Sequence, residues 1–151
     1  MAAGLLTALP ELLSVAAMTL ATTGSDGQPY AAPVYFAAGL SADPLRLYFF
    51  SDPASQHSQD LARDPRAAAA CYPESQSWQD IRGVQLRGEA RPAPGGEAWN
   101  AGWKCYVDKF PFVEGLKLIV ARNTLYSFEP RWIRVVDNRR GFGFKEEWSR
   151  P

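Results

Sequence analysis

The sequence predicts a mainly β domain, a small antiparallel barrel of six or seven short strands with a few flanking helices. Three observations carry that expectation. Short runs of strand-forming residues recur along the chain, at 18–23, 29–37, 46–50, 66–72, 78–91, 124–128 and 132–136. Turn chemistry separates them, as in Ser25-Asp26-Gly27-Gln28, the stretch 39–44 and the corner Glu129-Pro130. No repeat, linker or low-complexity tract divides the 151 residues, and 46% hydrophobic with 13% aromatic residues suffice for the core of one domain spanning 1–151.

Taken in order, Leu5, Leu6, Leu9, Leu12 and Leu13 recur at helical spacing, so a short amphipathic helix opens the domain, with Pro10 as a kink or break. Residues 18–23 and 29–37 form a hairpin, and 39–44 turn the chain into a third strand at Arg46. The stretch 45–61 changes period in its middle: strand-like to Phe50, broken by Ser51-Asp52-Pro53, helical beyond. Ser55 is the N-cap, which leaves the amides of Gln56, His57 and Ser58 at the positive end of a helix dipole. This corner is either an ordinary capped helix or an anion seat. In the second reading a phosphate is held by backbone N–H groups, by the hydroxyls of Ser51 and Ser55, and by His57, the single histidine.

Asp64-Pro65 stops that helix, because the residue before proline is pushed out of the helical region. Ala67 to Ala70 favour helix by propensity, but the shortness of 66–72 and its flanking prolines argue for a buried strand. The segment 78–91 reads as a long bent strand in which Gly83 and Gly88 mark a bulge or a close backbone approach. Trp99, Trp103, Tyr106 and Phe110 lie on one face of a helix over 97–110 and read as core. Residues 116–120 fit either helix or strand, and the glycine-punctuated Gly141-Phe142-Gly143 reads as a mobile loop.

Several chemistries are excluded by what the chain lacks. Sixteen acidic and sixteen basic side chains balance, so no net field favours nucleic acid or an anionic membrane. The first 17 residues carry Pro10 and Glu11 and no basic n-region, which argues against a signal peptide or a bilayer span. Cys71 and Cys105 are expected as free thiols of a reducing, cytoplasmic compartment, Cys71 buried in a strand. One histidine and two distant cysteines cannot build a zinc site. A serine-histidine-aspartate triad lacks a strand-borne nucleophile elbow, and the tail glycines lack the strand-to-helix setting of a dinucleotide fingerprint.

Four pieces then stand in a telling order. They are Met18-Thr19-Leu20-Ala21-Thr22 with Asp26-Gly27-Gln28-Pro29 and the strand to Phe36; Tyr48-Phe49-Phe50-Ser51 with Ser55-Gln56-His57 and Asp60-Leu61; Asp64-Pro65-Arg66 before a hydrophobic strand; and the run from Ile81 to Gly88. Over residues 16–92 this order resembles the flavin-binding split-barrel superfamily typified by pyridoxamine 5'-phosphate oxidase. The resemblance implies an antiparallel split barrel and a homodimer with flavin mononucleotide (FMN) at the subunit interface. It places Pro33, Val34, Tyr35 and Phe36 along the ring by backbone contacts. Phe50, Ser51, Ser55, Gln56 and His57 approach the ring or the phosphate, and Gly83 lies on the strand under the ring. The anion seat read independently at Ser55 agrees with this.

The chain also departs from the oxidases. Ala32, Ala37 and Gln56 stand where those enzymes carry basic side chains, which leaves charge compensation to His57, and the C-terminal half lacks their substrate-phosphate pattern. The tail from Asp137 to Lys145 is similar to that of a branch of the superfamily ending in a like glycine and phenylalanine motif. Its Arg139, Arg140 and Lys145 either supply cations to the partner subunit's site or form a solvated basic loop. The resemblance implies a flavin-dependent oxidoreductase acting on a small molecule, with no side chain standing out as a proton donor. The alternatives are a non-catalytic module for flavin, haem or another planar ligand, and a relative that has lost its cofactor.

Overall fold

Strand β1 (Ala17–Thr23) and β2 (Pro29–Tyr35) form the opening hairpin, in register from Ala17 opposite Tyr35 to Thr23 opposite Pro29. In this computed structural model, which describes residues 1–151, β2 stops at Phe36 and the chain re-enters the sheet as β3 (Ala37–Gly39), which pairs with β4 (Arg46–Ser51). Then come β5 (Arg66–Cys71), β6 (Arg82–Pro92) and β7 (Thr124–Asp137), all paired antiparallel. The path β2-β1-β5-β6-β7-β4-β3 holds seven strands, with a further strand β8 (Lys145–Ser149) on β7. Its two ends are one stretch of chain parted by a single residue, so the sheet curls into an antiparallel split barrel. No helix is long and apolar enough to cross a membrane.

Alternation puts Met18 and Leu20 of β1, Val84 and Leu86 of β6 and Ile133 and Val135 of β7 into the barrel. Helix α1 (Ala3–Leu12) adds Leu5, Leu9, Leu12 and the adjoining Leu13 to the same core, while Leu6 faces solvent. Pro10 neither breaks nor ends α1, which runs two residues beyond it. β4 does not alternate, because both its faces are covered. Leu47 and Phe49 point inward, and Tyr48 and Phe50 lie beneath helix α3 (Glu97–Lys109) on the outside. The aromatic face of α3 therefore packs on the outer wall of the barrel. Tyr106 and Phe110 are buried there, whereas Trp99 and Trp103 stack on each other at 5.7 Å and stay half-exposed.

Beyond Pro10, the structure departs from the sequence reading in β7 and the tail, and decides residues 116–120, which the sequence left open. The runs 124–128 and 132–136 form one strand, with Pro130 in the gap where β4 has ended at Phe128 and β8 has only begun at Trp132. Opposite it, the ladder shifts register between Arg87 and Gly88, and a Cβ on Gly88 would collide with the Glu129 carbonyl. Residues 116–120 resolve as helix, with α4 (Lys117–Ala121) following a short 3-10 turn. The tail is held rather than loose: the Asn138 amide donates to the Trp78 carbonyl at 2.7 Å, and Gly143 N–H donates to Asn138 Oδ1 at 2.9 Å. Glu146 of β8 lies against Gly4, so the tail straps α1 down.

Candidate functional site

At the end of β4 the chain turns through Asp52–Ser55 into helix α2 (Gln56–Arg63). The turn is made by its own side chains. Asp52 accepts from the Ala54 amide at 2.8 Å, and Ser55 caps the helix by accepting from Ser58 N–H at 3.4 Å. From this corner the His57 ring reaches back to β4, with Nε2 2.6 Å from Ser51 Oγ and 3.3 Å from Ser55 Oγ. Burial holds the imidazole below its ordinary pKa, against a weaker opposing pull from Asp60. One neutral imidazole and two hydroxyls thus share a small polar cluster.

Asp60 fixes this helix to the barrel. Fully buried, it accepts from Thr22 Oγ1 of β1 at 2.8 Å, from Gln56 Nε2 at 2.8 Å and from Arg63 at 2.5 Å. A buried carboxylate held by three donors ties the orientation of α2, and with it His57, to β1.

A cavity of about 530 Å³ opens at this corner, lined by Pro33, Val34 and Tyr35 of β2, Phe50 and Ser51 of β4, Asp52 and His57, with Ala17, Tyr106 and Asn123 closing it. The structure brings six of the expected site residues to one cavity: Pro33, Val34, Tyr35, Phe50, Ser51 and His57. Ser55 stands behind them through its contact with His57. Gln56 spends its side-chain amide on Asp60, and the Phe36 ring is wholly inside the barrel core. Gly83 lines a different groove, with Tyr72, Ile81, Val84 and Val136. Arg139 pairs with Asp137 at 2.7 Å and Arg140 with Glu146 at 3.4 Å, so both are engaged within their own chain, while Lys145 is exposed on β8.

Tyr106 and Asn123 were not legible as site residues. Tyr106 sits in a helical row of aromatics, and nothing in that row marks which of them borders a cavity. Burial, with Tyr35 close by, raises its phenol to about 12. Behind it, Lys109 donates to the Leu13 and Val15 carbonyls at 3.1 and 2.6 Å and lies 4.0 Å over the Phe36 ring. Burial lowers its pKa to about 8. Lys109 thereby links the end of α3, which carries Tyr106, to the entry of β1, which brings Ala17 to the cavity.

The seven-strand path and the strand-to-helix corner define a split-barrel protein. The chain belongs to the pyridoxamine 5'-phosphate oxidase family, whose family model matches residues 8–136. It is 32% identical over 111 residues to the UPF0306 protein YhbP of Salmonella paratyphi A, covering 74% of this chain and 71% of that protein. Among solved structures, a heme binding protein from Mycobacterium smegmatis shares the fold with a TM-score of 0.73 at 23% identity. That match covers 90% of this chain but only 53% of the other. A Clostridium acetobutylicum protein related to general stress protein 26, of the pyridoxinephosphate oxidase family, has a TM-score of 0.72 at 12% identity, covering 99% and 96% of the two chains.

Proposed function

We propose that this protein binds FMN in the cavity at the end of β4 and acts as a homodimeric, flavin-dependent oxidoreductase on a small molecule. The observation that carries the reading is the cluster of Ser51, Ser55 and His57 at one end of a cavity walled by Tyr35, Phe50 and Tyr106. Hydroxyls, an imidazole and the first amides of α2 suit a phosphate, and the aromatic wall suits a planar ring. When bound, the flavin supplies the electron chemistry. Ser51, Ser55 and His57 would hold the phosphate. The backbone of Pro33 to Tyr35 and the Phe50 ring would flank the ring system and keep water from it.

No lysine or arginine lines the cavity. Positive charge for the phosphate therefore comes from protonating His57. A dianion beside the ring raises its pKa, so binding takes up a proton, and affinity weakens as pH rises through neutrality.

Titration of the protein with FMN and with riboflavin tests the reading, because riboflavin has the ring without the phosphate. FMN is expected to bind at least about tenfold more tightly, a difference of about 1.4 kcal/mol. Ser51→Ala and His57→Ala should each reduce that preference. Failure to take up FMN overturns the proposal. The bare cavity lining also supports a second reading, a binding module for haem or another planar ligand without turnover. A Soret band on adding haem to protein that ignores FMN would select it.

A further inference from the structure

Glu89 of β6 and Glu129 of β7 are direct cross-strand partners. Like charges placed opposite each other oppose pairing, and the fold answers with arginines drawn from four separate places. Arg46 of β4 reaches Glu129 at 3.4 Å, and Arg150, just past β8, pairs with the same carboxylate. Arg91 of β6 reaches Glu89 at 3.1 Å and Arg131 of β7 approaches it at 3.8 Å. Four guanidiniums against two carboxylates leave an excess of two positive charges in a chain whose net charge is zero.

All of these groups except Arg150, which backs Glu129 from outside, line a cleft of about 200 Å³ that has no hydrophobic residue in its wall, with Ser127, Pro92 and Pro94 completing it. Arg46 and Arg150 are about two-thirds covered and neutralise Glu129, whereas Arg91 and Arg131 are 63% and 61% exposed. Each guanidinium has five N–H donors in a planar fork, and Glu89 occupies only one edge of the outer pair. The outer arginines are thus held over the cleft with donors to spare.

We propose that this cleft is an oxyanion site for the phosphate or diphosphate group of a small molecule, held by Arg91 and Arg131 with Ser127. It is separate from the cavity beside Ser51. Arg46 and Ser51 stand at opposite ends of β4, roughly 17 Å apart at the usual rise of a strand. The cleft accommodates the charged group and leaves the remainder of such a molecule outside.

The test is a titration of the full chain, saturated with FMN where FMN binds, followed through the arginine side-chain Nε–H resonances. Pyrophosphate, inorganic phosphate and ADP are compared with sodium chloride at matched ionic strength. Saturable shifts at Arg91 and Arg131 with the phosphates, absent with chloride, support the site, and tighter binding of ADP than of free anions identifies the ligand as a nucleotide. The double variant Arg91→Gln/Arg131→Gln should lose at least about tenfold in affinity while Arg46 and Arg150 still neutralise Glu129. Shifts that track ionic strength alone, or equal affinity in the double variant, overturn the proposal. The wild-type resonances decide the question even where the variant does not fold.

Discussion

His57 joins the chemistry of the site to the stability of the fold. Its folded pKa lies below the ordinary 6.5 because the ring is buried. The unfolded chain therefore takes up a proton at a higher pH than the folded one. The stability gained by keeping this ring neutral is present above about 6.5 and is lost as pH falls through that value toward the folded one. Denaturant midpoints of the ligand-free protein at about pH 7 and about pH 5 should fall further in the wild type than in His57→Gln, and equal slopes would remove His57 from that role. The thiols respond differently. Cys71 is buried, with its pKa raised to about 11 by desolvation, and its Sγ–H points to the Leu12 carbonyl at 3.5 Å. A thiol reagent at neutral pH should leave Cys71 unmodified until the chain unfolds. At this scale Ser51, Ser55 and His57 were legible because a strand-to-helix corner brings polar residues six or fewer positions apart back together. The outward turn of Gln56 was not, since it depends on Asp60 lying one helical turn further on and fully buried.

Among the elements, two glycines set how closely the parts approach. Gly88 lets β6 press against the Glu129-Pro130 step of β7, where any Cβ would strike the Glu129 carbonyl. Gly88→Ala should cost about 2–4 kcal/mol, read as a shift of the denaturant midpoint. At Gly102 of α3 a Cβ would sit 2.7 Å from the Tyr48 ring and 2.9 Å from Leu125. Gly102→Ala should destabilise the protein even though alanine is favoured in a helix interior by about 1 kcal/mol, because α3 must lift off the barrel wall. The same displacement moves Tyr106, so the variant should also bind FMN more weakly. The bulge at Gly88 was foreshadowed by a glycine inside a strand pattern. The continuity of β7 through Pro130 was hidden, because proline inside a strand ordinarily ends it, and only the gap between β4 and β8 removes that conflict.

At the scale of the whole molecule, the strands could be placed along the chain but their neighbours could not, since the order β2-β1-β5-β6-β7-β4-β3 depends on contacts between distant residues. The proposed homodimer belongs to this scale. Tyr72, Trp78, Ile81 and Phe142 are exposed apolar side chains beside the groove that holds Gly83, and this is the face a second copy would bury. Sedimentation should give twice the chain mass of 16.7 kDa, and Trp78→Glu with Phe142→Glu should shift the population to monomer. A monomeric wild type would rule the dimer out. Phe36, which joins the two ends of the strand path, has a consequence for failure as well as for folding. Truncating it to alanine should cost about 3–5 kcal/mol, and a barrel that parts there swings its two unpaired borders, on β2 and on β3, away from each other. Each is a ready template for a neighbouring molecule, so turbidity on heating should begin earlier in Phe36→Ala than in a variant of equal stability altered elsewhere in the core.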